Sequence, residues 1–182
     1  MPGRSPSEAF RVFVEPLAEA VGCLGRAKFT ASPGGRGNLH VVHSLLLNGG
    51  GPLLLSGGLQ LSTRVLYEII RDGTSAAQPF RITTRAYMHT IARNDGVELL
   101  TAHWHPVGAS PQVQPHWHVG AAALAPDGVF TPRAHIPSGR IAFETIVRVA
   151  IEQFGVEPTR SDWAEVLDRC EHNFTEHRSW PS

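Results

Sequence analysis

FRITTRAYMHTIARNDGVELLTAHWH, residues 80–105, holds the hairpin that decides the fold. Alternation puts Phe80, Ile82, Ala86 and Met88 on one side of a strand, with Arg81, Thr83, Arg85, Tyr87 and His89 on the other. Asn94-Asp95-Gly96 has turn chemistry, with glycine able to take the left-handed position of a three-residue hairpin loop, and Val97 to His105 forms the return strand. A three-residue loop sets Arg93 opposite Val97, and counting back sets Thr101 opposite His89, His103 opposite Tyr87 and His105 opposite Arg85. A two-residue loop inverts the parity and moves His103 and His105 to the side of Ala86 and Met88. The first register is preferred because it gathers the polar groups on one face.

Working toward the N-terminus, Leu59 to Ile70 and Leu53 to Leu55 read as strands, although Arg64 to Arg71 also fits a short helix. Leu39 to Leu47 reads as a buried strand, closed by the turn at Asn48-Gly49-Gly50-Gly51. That glycine run lacks the Gly-Lys-Ser/Thr ending of a phosphate loop. Phe10, Phe13, Val14, Leu17 and Val21 recur at helical spacing from Ser7 to Val21, with Pro16 inside the span. Toward the C-terminus, three prolines make 106–115 a loop, His116 to Leu124 is a further strand, and Pro126-Asp127-Gly128 is a turn. A helix is expected from Ser138-Gly139 to Phe154, and another from Asp162 that buries Trp163, Val166, Leu167, Cys170 and Phe174. The expectation is a single α+β domain over residues 1–182, with residues 1–6 flexible. Its mostly antiparallel sheet carries the N-terminal helix and the two C-terminal helices on one face.

Composition narrows the function. Sixteen basic residues balance sixteen acidic ones, so broad cationic attraction to nucleic acid is excluded and any phosphate contact must be local. Of the basic residues only Lys28 is not arginine. Cys23 and Cys170 are too few for a disulfide framework, and no apolar run has the length of a membrane span, which leads to the expectation of a cytoplasmic protein.

The ten histidines carry the chemical signal. His103-Trp104-His105 recurs as His116-Trp117-His118, whereas roughly half a His-x-His is expected by chance at this histidine content. Alternation keeps the two histidines of each copy on one face, so pairing across the 106–115 loop would gather four imidazoles, with Arg85, Tyr87 and His89 as supports. Acid–base cleavage of RNA uses such a group with no cofactor. One neutral imidazole takes the 2′-hydroxyl proton, a protonated one supplies the leaving oxygen, and Arg85 stabilises phosphate charge. Alternatively His103, His105, His116 and His118 hold a divalent metal, most simply zinc, in a hydrolytic or structural site. A third reading is plain packing, with Trp104 and Trp117 turned toward the core.

His40, His43, His135, His172 and His177 read as ordinary polar residues. The stretch His135 to Arg140 enters a helix start where amides attract anions, although Arg140 and Glu144 also have the spacing of a helical ion pair. Arg64, Arg93 and Arg133 are further candidates for phosphate contact, and Glu68 and Asp95 have no assigned partner.

Tyr87-Met88-His89, Asp95-Gly96, Ala102-His103-Trp104-His105-Pro106 and Pro115-His116-Trp117-His118 follow one another in an order that resembles the TumE-type toxins of bacterial toxin–antitoxin pairs. The resemblance covers about residues 40–120. Leu100-Thr101-Ala102 stands where that family has an Arg-x-Asp-Asn stretch, and the two C-terminal helices make this chain the longer one. The resemblance implies a cytoplasmic, growth-inhibiting protein that acts on RNA and is neutralised by a separate antitoxin protein. A cupin-type metal site also begins with His-x-His, but its following glutamate is missing here.

Overall fold

The computed structural model describes residues 2–72, 76–107, 112–124, 131 and 134–176. Arg133, His177 and the turn expected at Pro126-Asp127-Gly128 lie outside the described residues. Among the described residues, nine strands form one antiparallel sheet: β1 (Pro2–Gly3), β2 (Phe29–Ala31), β3 (Val42–Leu47), β4 (Leu53–Leu55), β5 (Leu59–Arg71), β6 (Phe80–Arg93), β7 (Glu98–Trp104), β8 (His116–Val119) and β9 (His135–Pro137). Their main order is β2-β3-β5-β6-β7-β8-β9, with β1 on β6 and β4 on β5. The helices are α1 (Pro6–Gly22), α2 (Phe143–Glu152) and α3 (Trp163–Glu176). The α+β architecture with an N-terminal helix and two C-terminal helices is as the sequence leads one to expect.

The long β5–β6 hairpin is the spine, and its pairing settles residues 64–71 as strand. Helix α1 starts at Pro6, whose missing N–H costs nothing there, and Ser5 Oγ accepts the Glu8 N–H at 3.2 Å. Its buried stripe of Phe10, Phe13 and Leu17 packs on the sheet, Phe10 and Phe13 lying 5.7 and 6.0 Å from the Tyr67 ring. Phe143, Ile146, Val147 and Ala150 of α2 and Val166, Leu167 and Cys170 of α3 complete the same core.

Two irregularities decide which side chains face that core. Leu66 pairs with Ala86 but Tyr67 with Thr84, which leaves Arg85 as the extra residue of a bulge in β6. Beyond it, Tyr87, His89 and Ile91 turn inward while Met88 is 42% exposed. The expected partition of β6 is thereby reversed: Tyr87 and His89 lie on the core face, and Ala86 and Met88 on the other. The second irregularity lies in β7. The turn has the expected three-residue geometry, with Arg93 N–H donating to Val97 O at 2.9 Å, but Ala92 pairs with Glu98 and Ile91 with Leu100. Leu99 is extra, so His103 stands opposite Met88 rather than Tyr87. Gly120 nests against this bulge, its N–H donating to Leu99 O at 2.9 Å, and a Cβ there would lie 1.9 Å from Glu98 O.

The C-terminal part departs from expectation in three places, the first being that β8 ends at Val119 and a 3-10 turn over Ala121–Ala123 replaces the strand expected as far as Leu124. His135–Pro137, expected to lead into a helix start, is an edge strand. Helix α2 begins at Phe143, later than expected, with Ala142 as an N-cap that offers no side-chain hydrogen bond. Arg140 and Glu144 do not form the helical pair the spacing suggests. The Arg140 guanidinium lies 3.7 Å from the centroid of the Trp104 ring, and the Glu144 carboxylate is buried with neither oxygen hydrogen-bonded. That carboxyl is pushed up to about 7 because burial strips its charge of water.

Candidate metal centre

The two His-Trp-His copies pair as adjacent antiparallel strands, with His103 directly opposite His116 and Thr101 opposite His118. On the next strand, His118 faces His135 and His116 faces Pro137. Side chains directly opposite on one face sit close enough to touch, so one row carries Arg64, Met88, His103, His116 and Pro137 across five strands. The row beside it carries Ser62, Thr90, Thr101, His118 and His135, with the Thr90 and Thr101 hydroxyls 3.0 Å apart. The intervening Trp104 and Trp117 turn to the core face, where Trp104 is buried beside Tyr87.

Five imidazoles meet as a result. Ring centroids are 5.3 Å apart for His103 and His116, 4.7 Å for His116 and His118, and 5.7 Å for His103 and His118. His105 closes one end at 4.3 Å from His103, and His135 closes the other at 4.4 Å from His118 and 4.8 Å from His116. One nitrogen from each of His103, His116 and His118 falls within 4.8 Å of the other two. His116 is fully buried and doubly constrained. Its Nδ1 stands 2.7 Å from Gln114 O, a contact that places the proton on Nδ1 and leaves Nε2 with its lone pair free. That Nε2 lies 3.0 Å from His118 Nε2, close to the roughly 3.3 Å separating two nitrogens on a tetrahedral zinc at normal bond lengths.

Burial and neighbouring rings disfavour the charged form of His103 and His118. His103 is pushed down to about 4, first by burial and then by the positive charge that His105, His116, His118 and His135 would carry. His118 is lowered by burial, then by His116, His135 and His105. A protonated ring is therefore disfavoured where a ligand or a base needs a lone pair.

The expected supports are not in this group. Tyr87 and His89 face the core, stacked on each other at 5.1 Å. The Tyr87 hydroxyl accepts the Ile141 N–H at 2.9 Å, and burial raises its pKa. His89 lies 5.5 Å from the Phe143 ring, and burial pushes it down to about 3. Arg85, on the bulge, is held by Glu68, its Nε 2.7 Å from Oε2. That contact also supplies the partner for Glu68, whose other oxygen lies 3.5 Å from His40 Nδ1. Asp95 in turn binds Arg93 and accepts the Val97 N–H at 3.1 Å within the hairpin turn. The member that sequence reasoning set aside is His135. The available signal was its His-x-Pro alternation, which matches an edge strand but is too short to stand out.

No family model, curated protein or solved structure matches this chain. No helix among the described residues is long and apolar enough to cross a membrane.

Proposed function

We propose that this chain is a histidine-ligated metalloprotein with hydrolytic capability, in which His103, His116 and His118 hold one divalent ion, zinc by the chemistry of an all-imidazole donor set. The observation that carries this reading is the convergence of three ring nitrogens within 4.8 Å, one of them oriented by a backbone carbonyl. Three protein ligands leave a position for water, whose pKa such an ion lowers toward neutrality, and the activated water can add to a phosphoryl or acyl centre as the leaving oxygen takes up a proton. His105 and His135 flank the trio and are the groups placed to pass that proton.

The test is zinc titration of the untagged protein with calorimetry. One equivalent should bind the parent, and His116→Ala should bind at least 100-fold more weakly. Absence of saturable zinc binding to the parent would overturn the reading.

A second reading is metal-free RNA cleavage by a toxin-type protein with an antitoxin-like partner, as the TumE-type order of motifs implies. What favours it is the 3.0 Å contact between His116 Nε2 and His118 Nε2, which calls for a shared proton and so supplies an acid beside a base. It requires RNA cleavage that persists in chelator and is lost in His118→Ala. The convergence of three ring nitrogens, one of them oriented by the Gln114 carbonyl, puts the metal reading first.

A further inference from the structure

Beside the histidines, on the same sheet face, a groove of about 200 Å³ is lined by Arg64, Leu66, Ala86, Met88, His103 and His105. Arg64 and His103 are two strands apart in one cross-strand row, with Met88 between them, so their backbones stand roughly 10 Å apart. The side chains of Arg64 and His103 both line the groove, with Met88 between their positions. No carboxylate lines the groove. The remaining arginines that could serve are committed elsewhere: Arg85 to Glu68, Arg93 to Asp95, and Arg140 to the Trp104 face. Arg64 is exposed and has no ion-pair partner among the described residues.

We propose that this groove binds a phosphate monoester, with its phosphoryl group between the Arg64 guanidinium and the His103–His105 side of the cluster. Arg64 is thereby a specificity-determining residue for the site, and this inference rests on the metal reading only for what happens after binding. The argument for phosphate is one of valence. A guanidinium fork takes two oxygens, which exhausts a carboxylate but leaves a phosphoryl group with a further oxygen to turn toward the imidazoles. The apolar floor of Leu66, Ala86 and Met88 suits an uncharged body attached to that group. With no net charge over the chain, anion attraction must be local, and the Arg64 guanidinium supplies it at this groove.

The experiment titrates inorganic phosphate, and separately acetate, into zinc-loaded and metal-free protein for the parent, Arg64→Ala and Arg64→Lys. Each variant's zinc affinity and thermal melt are measured alongside. Phosphate should bind the parent saturably and at least tenfold more tightly than acetate. Arg64→Ala should lose about tenfold in phosphate affinity in both metal states with zinc affinity unchanged, and Arg64→Lys should fall between. Equal phosphate affinity in the parent and Arg64→Ala, no saturable phosphate binding in the parent, or acetate binding as tightly as phosphate would each overturn the proposal. If zinc fails to bind while Arg64-dependent phosphate binding persists, the anion site stands and the metal reading alone falls.

Discussion

Glu144 shows how much one buried group can dictate. It is 1% exposed, neither carboxylate oxygen has a hydrogen bond, and it lies near Cys170 and Glu171 of α3. Burial raises its pKa from 4.5 to about 7, with Glu171 adding to the effect. A folded-state pKa above the unfolded one means that the folded form keeps its proton while the unfolded chain releases it. The associated stability is fully present below about pH 4.5 and is lost as pH rises to 7. A shift of this size corresponds to about 3 kcal/mol. Urea unfolding of the parent and Glu144→Gln between pH 4.5 and pH 8 should show their stability difference moving by roughly that amount in favour of the variant at high pH. A difference independent of pH would show that the carboxyl finds a partner or water in solution. The same desolvation acts on His89, which the sequence placed among the chemical residues. Its type was visible in the sequence, but its surroundings, Tyr87 and Phe143, are supplied by other elements.

At the level of elements, the hairpin strands, the Asn94-Asp95-Gly96 turn and the pairing of the two His-Trp-His copies were legible because each depends on local alternation or turn chemistry. The faces were not, because each of the two bulges depends on a neighbour distant in sequence. Arg85 leaves the ladder and is held by Glu68 of β5, and Leu99 leaves it where Gly120 comes close. A strand read alone carries no mark of a skipped partner, and one skip inverts every side chain beyond it. Gly120 is thus the residue that permits the site to form on the outer face. Gly120→Ala places a Cβ 1.9 Å from Glu98 O, an overlap that backbone must relieve by moving. The variant is expected to lose about 2 kcal/mol or more, in line with overpacking at a rigid contact. It should also weaken zinc binding more than Gly96→Ala, whose Cβ would meet nothing within 4 Å although its left-handed backbone carries a strain of its own. Calorimetric zinc titration of the two variants makes the comparison. Equal weakening in both would mean that global destabilisation, not the bulge, controls the site.

Across the whole molecule, stability is unevenly distributed, and the proposed ion would sit where it is thinnest. The helices clamp the centre of the sheet through Tyr67, Tyr87 and Phe143, whereas β8 and β9 are short strands at the far edge. An ion on His103, His116 and His118 would tie β7 to β8, with His135 bringing β9 alongside. Metal binding that requires the edge to be in place stabilises it against local opening by about 2.7 kcal/mol at 100 times the dissociation constant, or roughly a hundredfold in opening equilibrium. Amide hydrogen exchange should therefore slow by about that factor at Thr101, Ala102, His103 and Trp117 when zinc is added, and by much less at amides of β5 that exchange by their own local opening. His116→Ala should abolish the difference between the two regions. Uniform slowing across the sheet would place the ion's effect on global unfolding, and slowing confined to α2 or α3 would place the ion elsewhere. Because the ligands arrive from two strands joined by a loop, the edge must close before the third nitrogen can engage, so the pattern of protection reads the geometry of the site directly.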